Sequence, residues 1–211
     1  MKSSTLKHLK IVTALALTYG ASISHANDLS YDYIELSAVE SQVYEDGATM
    51  DGYKLDFSYQ FGNHFSFLLG FDNVNDKQSL ANLDYEQRVK TKHFGFGFRS
   101  SVSENLDFVA QYTNDDYRYT EIETDNLGTD KFTYKDDGDT IRIGLRGLLG
   151  EKFEWDAFGV RKTLNGDGVD VDDSGYQLSL RYRLAEELSL GMSRSDIGDF
   201  EETALSLRYT F

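Results

Sequence analysis

Residues 53–61 read Tyr53-Lys54-Leu55-Asp56-Phe57-Ser58-Tyr59-Gln60-Phe61. Every odd-numbered position is aromatic or aliphatic, and every even-numbered one is charged or polar. Successive side chains of an extended chain point to opposite faces, so the stretch is a strand with one apolar and one polar face. The alternation recurs in Phe65, Phe67, Leu69 and Phe71, in Phe94, Phe96 and Phe98, and in Leu106, Phe108, Ala110 and Tyr112. It returns in Ile141, Ile143 and Leu145, from Tyr176 to Leu184, in Leu188, Leu190 and Met192, and in Leu205, Leu207, Tyr209 and Phe211. No helical period is sustained after Asn27. The pattern predicts ten strands, over 29–40, 51–61, 65–74, 87–101, 106–118, 138–149, 153–163, 175–184, 188–195 and 202–211, with eight as the alternative count.

The connections sort into two kinds that alternate along the chain. Gly62-Asn63-His64, Ser103-Glu104-Asn105, Gly150-Glu151-Lys152 and Ala185-Glu186-Glu187 read as tight turns. Between them lie longer polar stretches at 41–51, 75–86, 119–137, 164–174 and 196–201. Such a rhythm puts both ends of the strand array on the short-turn side. Tyr117, Tyr119, Phe132 and Tyr134 keep the alternation going around the third long connection, which predicts a hairpin protruding beyond the rest.

Two architectures accommodate amphipathic strands. A sandwich turns its apolar faces inward, whereas a membrane barrel turns them out to lipid and keeps a polar lumen. Three features favour the barrel. Its aromatic residues Tyr59, Phe61, Phe98, Phe153, Trp155, Tyr182 and Tyr209 cluster near the short-turn ends, as an interfacial girdle does. The opposite face carries glycine, serine and full charges, and the last strand closes on Phe211. Proline is absent from the whole chain, as suits a closed sheet in which every strand N–H must find a partner.

Composition narrows the function classes. The 211 residues contain no cysteine, which excludes a disulfide framework, a Cys-ligated zinc site and a thiol nucleophile. A net charge of -15 argues against nucleic-acid binding, which needs clustered basic charge. Residues 1–26 have the form of a secretory signal peptide. Lys2, Lys7 and Lys10 make a positive start, Ile11 to Thr18 an apolar centre, and Ser24 and Ala26 the small pair before cleavage. Cleavage after Ala26 removes three basic and no acidic residues, so the net charge falls to -18 over residues 27–211, the expected barrel domain.

The signal peptide, the strand alternation, the turn rhythm and the final Leu205-Ser-Leu207-Arg-Tyr209-Thr-Phe211 together resemble the small proteobacterial outer-membrane β-barrels of the OmpA/OmpX-like superfamily. That resemblance implies residence in the outer membrane of a Gram-negative bacterium, contact with membrane lipid and lipopolysaccharide, and recognition by the barrel assembly machinery. Leu205, Leu207, Tyr209 and Phe211 match the assembly signal. The superfamily includes adhesins, structural proteins, narrow pores and some lipid-modifying enzymes. No catalytic residue carries over from it. Omptin-type proteases also have ten strands, but this chain is short for their tall extracellular rim.

Charges in phase with the polar face are Lys54, Arg99, Arg142, Arg146, Arg181, Arg183 and Arg208, against Glu35, Asp56, Asp72, Asp107, Glu154 and Asp156. Near-balance in so acidic a chain points to an ion-pair network filling a narrow lumen, because charge withdrawn from water must be paired. The expected role is structural or one of surface interaction; a small pore for ions or solutes is the alternative.

The acidic excess then falls to the loops. Glu45 and Asp46 mark the first; Asp115, Asp116, Glu121, Glu123, Asp125, Asp130, Asp136 and Asp137 the third. Asp167, Asp170, Asp172 and Asp173 mark the fourth, and Asp199, Glu201 and Glu202 the fifth. These surfaces suit an extracellular partner. Asn165 to Asp173 is acidic enough to suggest a divalent cation but lacks the spacing of an EF-hand, and no metal or cofactor is assigned. Arg88, Lys90, Lys92, Arg118, Arg161 and Arg194 share phase with the lipid-facing side near the long-loop ends, where lipopolysaccharide phosphates would lie. The histidines after residue 26, His64 in a short turn and His93 on the polar face, are not placed as a catalytic base at the outer rim, so no enzyme is expected.

Overall fold

A computed structural model of the chain describes residues 29–43, 49–80, 83–126, 128–166 and 170–211. The expected signal peptide, Glu45, Asp46 and Asp167 lie outside the described residues. Ten strands follow one another: β1 (Tyr33–Val43), β2 (Thr49–Phe61), β3 (Phe65–Leu80), β4 (Leu83–Ser103), β5 (Leu106–Thr124), β6 (Thr129–Leu149), β7 (Phe153–Gly166), β8 (Val171–Arg183), β9 (Leu188–Ile197) and β10 (Phe200–Thr210). Each pairs antiparallel with its neighbours in sequence, and β1 pairs with β10 from Tyr33↔Thr210 to Val43↔Phe200, closing the barrel. Closure gives every strand a neighbour on both sides through the body of the barrel, as a sheet surrounded by hydrocarbon requires, while 76–80 of β3 and 129–135 of β6 extend past their partners on one side.

The two faces separate as the alternation requires. Outward side chains are apolar and uncovered: Tyr59 is 52% exposed, Phe96 53% and Met192 59%. Inward ones are polar and covered: Ser58 is 1% exposed, Arg181 6% and Arg208 5%. Among the described residues no second sheet covers the outward phenylalanines. An ionised interior inside an apolar cylinder is the arrangement of a transmembrane barrel.

The strands are longer than the alternation alone marks out. β3 and β4 run to Leu80 and from Leu83, where a loop over 75–86 was expected. β5 and β6 run on to Thr124 and from Thr129, forming the protruding hairpin. About ten residues of tilted strand cross a bilayer, so β4 and β6, at 21 residues each, rise well past it. Above the lipid both faces of a strand meet water, so the apolar phase that identifies a strand is lost while the backbone ladder continues. The expected fifth long loop is a tight turn at Gly198-Asp199, with Gly198 at φ 57°.

At the other end, β1 begins at Tyr33 rather than 29. The preceding residues fold into the barrel mouth instead, leaving Leu29 7% and Tyr31 4% exposed.

Two inward glycines are sites of close strand approach. A Cβ on Gly95 would overlap the Tyr112 carbonyl oxygen, and one on Gly144 the Ala157 carbonyl oxygen. Lipid-facing Gly159 has only the Ile143 carbonyl, at 3.8 Å. We expect Gly95→Ala and Gly144→Ala each to lower stability by about 1–3 kcal/mol. Gly159→Ala should stay within about 0.5 kcal/mol of the parent. Urea unfolding of the refolded barrel in detergent micelles, followed by tryptophan fluorescence, measures all three.

Candidate functional site

The barrel interior is built in layers. At the short-turn mouth, the Tyr31 ring lies between the guanidinium groups of Arg99 and Arg146, at 4.9 and 4.5 Å. Its hydroxyl donates to Asp107 at 3.0 Å. Arg99 Nη1 donates to the Leu29 carbonyl at 3.1 Å and pairs with Asp107 at 3.3 Å. The stretch ahead of β1 thus closes the mouth through an aromatic ring sandwiched by cations.

The next layer holds the densest charge. Arg181 reaches from β8 to Glu35 on β1 at 3.2 Å, and to Glu154 and Asp156 on β7 at 3.2 and 2.6 Å. Arg208 on β10 pairs with Glu35 and, at 3.2 Å, with Glu154. Arg146 on β6 pairs with Glu154 at 2.9 Å, and Arg183 approaches it at 4.0 Å. Ser179 donates to Asp156 at 2.6 Å, and the Arg208 guanidinium covers the Tyr33 ring at 3.8 Å. Small residues on the same face make this possible: a Cβ on Gly191 would press on the Arg181 stem at 2.8 Å.

Further toward the long-loop end, Lys54 lies between Asp72 at 3.9 Å and Glu202 at 3.5 Å. His93 pairs with Asp56 at 3.1 Å, over Gly70, where any side chain would collide with the imidazole. Buried Asp115 accepts hydrogen bonds from Thr113 at 2.9 Å and Thr140 at 2.5 Å. An apolar cluster that includes Val39, Met50, Val89 and Leu164 fills the lumen near this level. Among the described residues, two cavities of about 110 Å³ share Lys54, His93, Arg142 and Gln177 in their linings; one of them also borders Glu35, Asp156 and Arg181.

Of the charges predicted to face inward, Arg142 alone makes no ion pair among the described residues; its Nε donates to Gln177 at 3.3 Å. Glu202, Asp115 and Asp136, expected in acidic loops, sit instead on β10, β5 and β6, and the latter two are buried. Asp115 lies in phase with inward Asp107 on the same strand. Lys162 is held beside the Phe200 and Tyr117 rings, at 4.4 and 5.5 Å.

Adjacent acids split between the faces: Asp115 points in while Asp116 is exposed. His64 lies in the turn between β2 and β3, against Phe98. No metal-binding cluster is found among the described residues, and Asp172 of the acidic 165–173 stretch is engaged by Arg161.

The outward cations divide into two groups. Arg161 makes a bidentate pair with Asp172 at 2.8 and 2.9 Å, Arg194 pairs with Glu201 at 2.8 Å, and Arg88 pairs with Glu86 at 2.5 Å. Lys90, Lys92 and Arg118 make no ion pair among the described residues.

Beside the hairpin, Tyr85 on β4 donates to Glu121 at 2.9 Å, as does Tyr119 on β5, and Tyr119 stacks on Tyr134 at 6.2 Å. Burial, together with that carboxylate, pushes the Tyr119 phenol above its ordinary value and keeps it a donor. On the final strand, Leu205 is exposed on the outer wall, and the Phe211 ring lies 6.1 Å from that of Phe57.

No protein-family model matches the chain, and no curated protein does. Among solved structures it is similar to Ail, the attachment invasion locus protein of Yersinia pestis, at 13% identity and TM-score 0.44, over 85% of this chain and 97% of that one. It is also similar to the NanC porin, at 11% identity and TM-score 0.48 over 84% and 98% of the chains. Neisserial surface protein A is 9% identical with TM-score 0.41, over 86% and 98%. At these scores the likeness adds nothing to the strand pairing, on which the fold rests.

Glu154 accepts from Arg146, Arg181 and Arg208 at once. Removing its charge leaves buried Arg146 without a carboxylate, while Arg181 keeps Glu35 and Asp156 and Arg208 keeps Glu35, so Glu154→Gln should lower the unfolding free energy by about 3–5 kcal/mol. Asp107→Asn should cost about 1–3 kcal/mol, since Arg99 keeps the Leu29 carbonyl. Denaturant titration from lipid vesicles reads both.

Proposed function

We propose that this chain is an integral outer-membrane protein of a Gram-negative bacterium, exported by a signal peptide cleaved near Ala26. Its barrel is sealed, and it serves as a structural element or a surface-contact element of the cell envelope. The observation that carries the reading is the buried layer of Glu35, Glu154 and Asp156 with Arg146, Arg181 and Arg208, which crosses the lumen. An ion entering that layer would have to break charge-assisted bonds among groups that no longer meet water. Leu29 and Tyr31 add a second closure at the mouth.

The outward face supplies the membrane contact, and the protruding β5–β6 hairpin supplies the surface for an extracellular partner. Exposed Asp116, Glu123, Asp125, Asp130 and Asp137 give the hairpin an acidic character. Leu205, Leu207, Tyr209 and Phe211 serve as the signal read by the barrel assembly machinery.

A small pore is the second reading. It is favoured by two cavities that share Lys54, His93, Arg142 and Gln177, one bordering the arginine–carboxylate layer and the other nearer the long loops. Planar-bilayer recording separates the two. The sealed barrel inserts without stable unitary steps, while reproducible steps from the unaltered protein would establish the pore. Tyr31→Ala should remain silent, because the arginine–carboxylate layer above it still blocks the bore.

A further inference from the structure

The lumen cavity nearer the long loops is lined by three cations, Lys54, Arg142 and Lys162, and by three inward acids, Asp72, Asp115 and Glu202. Most of these groups are met from within. Lys54 lies between Asp72 and Glu202, Asp115 is held by Thr113 and Thr140, and Lys162 rests over the Phe200 and Tyr117 rings. Arg142 is different. Beyond the bond from its Nε to Gln177, its guanidinium makes no hydrogen bond or ion pair among the described residues. A second group in the same lining is also unmatched. The buried oxygens of Ser58, Asp72 and Asn73 lack a hydrogen-bond partner among the described residues, and of these three residues only Asp72, through Oδ1, borders the cavity. A carboxylate oxygen withdrawn from water costs free energy until a donor reaches it.

The nature of the lining restricts the occupant. Glu201, a fourth acid there, pairs with Arg194 on the outer wall, so the remaining charges balance, three against three. A balanced chamber favours neither a free anion nor a free cation. Unmatched N–H groups on Arg142 and an unmatched Oδ1 on Asp72 instead fit one molecule that carries both a carboxylate and an ammonium. Val74, Val89 and Ile197 add an apolar wall, which suits an aliphatic group on the same molecule. The volume of about 110 Å³ holds about eight water molecules, room enough for a small amino acid. Entry is from outside. β9, at 10 residues, is the shortest strand, so the long-loop rim is lowest at its turn to β10. Exposed Glu201 stands just past that turn and borders the cavity, which therefore reaches the rim there.

We propose that this part of the lumen is a blind binding chamber for a small aliphatic α-amino acid, with Arg142 holding its carboxylate and Asp72 its ammonium. The arginine fork matches a carboxylate with two parallel bonds. The chamber goes beyond the structural role given above; only its closed floor, the arginine–carboxylate layer, rests on the sealed-barrel reading.

Saturation-transfer NMR titration of the refolded barrel in detergent micelles tests this with three probes: L-valine, 3-methylbutanoate, which lacks the ammonium, and 2-methylpropan-1-amine, which lacks the carboxylate. L-Valine should bind saturably, and each analogue should bind more weakly by about tenfold or more, the loss of one charge-assisted bond. Arg142→Gln and Asp72→Asn should each weaken L-valine to a similar degree. Ser195→Phe, which fills the chamber without removing a charge, should abolish binding. Arg161→Gln on the outer wall should leave it unchanged. Heat-modifiable gel mobility identifies the variants that fold. The proposal is overturned if L-valine does not bind saturably, if either analogue matches it, or if any chamber variant that folds binds as the parent does. Uptake of L-valine into vesicles through the barrel would instead overturn the sealed floor.

Discussion

A closed sheet with an apolar outside must carry its polarity on the inside, where too little water remains to hydrate ions. The interior of this barrel follows from that constraint. Charges on the inner face are tolerable only when paired, and pairing across a cylinder requires long side chains reaching between strands distant in sequence. Arg181 and Glu35 are 146 positions apart, and Arg208 and Glu35 are 173 apart, yet each pair is in hydrogen-bonding contact. Arginine suits such a place, because one planar fork can serve two or three carboxylates at fixed angles. The glycine and serine among these charges leave space for the guanidinium stems.

The same constraint explains the grading of the lumen along its axis. Arginine–carboxylate pairs occupy the buried layer next to the short-turn mouth. Lys54, Asp72, Glu202 and the His93–Asp56 pair sit farther toward the long-loop end, with Lys54 3.9 and 3.5 Å from its two acids. Apolar side chains such as Val39 and Leu164 then fill space that ten strands enclose and eight would not. Toward the long-loop end the strands leave the lipid, and both faces become polar. There the hairpin is held by backbone pairing, tyrosine stacking and the Glu121 hydrogen bonds rather than by burial against hydrocarbon.

The outer wall obeys a different rule, since water and lipid headgroups reach its upper part. Ion pairs there stabilise little on their own. Arg161 and Arg194 are paired with acids, whereas Lys90, Arg118 and Lys135 stand in one row beside Asp116 and Asp137 and make no ion pair among the described residues.

Local sequence determined the strands, their inner and outer faces and their number, because a period of two is a property of each strand alone. From Tyr53 to Phe61, or from Phe94 to Phe98, the direction of every side chain follows from parity, and so do the inward phases of Lys54 and Arg181. Parity is a weaker guide where hydrophobicity no longer alternates, which is why β3 to β6 extend farther than the apolar pattern and why the interior positions of Asp115 and Glu202 are not legible from it. Which charge meets which was decided by tertiary structure. Closure of β1 on β10 brings Glu35 to Arg208, and register across three strands brings Lys135 to Arg118 and Lys90. Periodicity records the direction of a side chain, whereas partnership depends on strand offset and barrel curvature, which arise only when all the strands are paired.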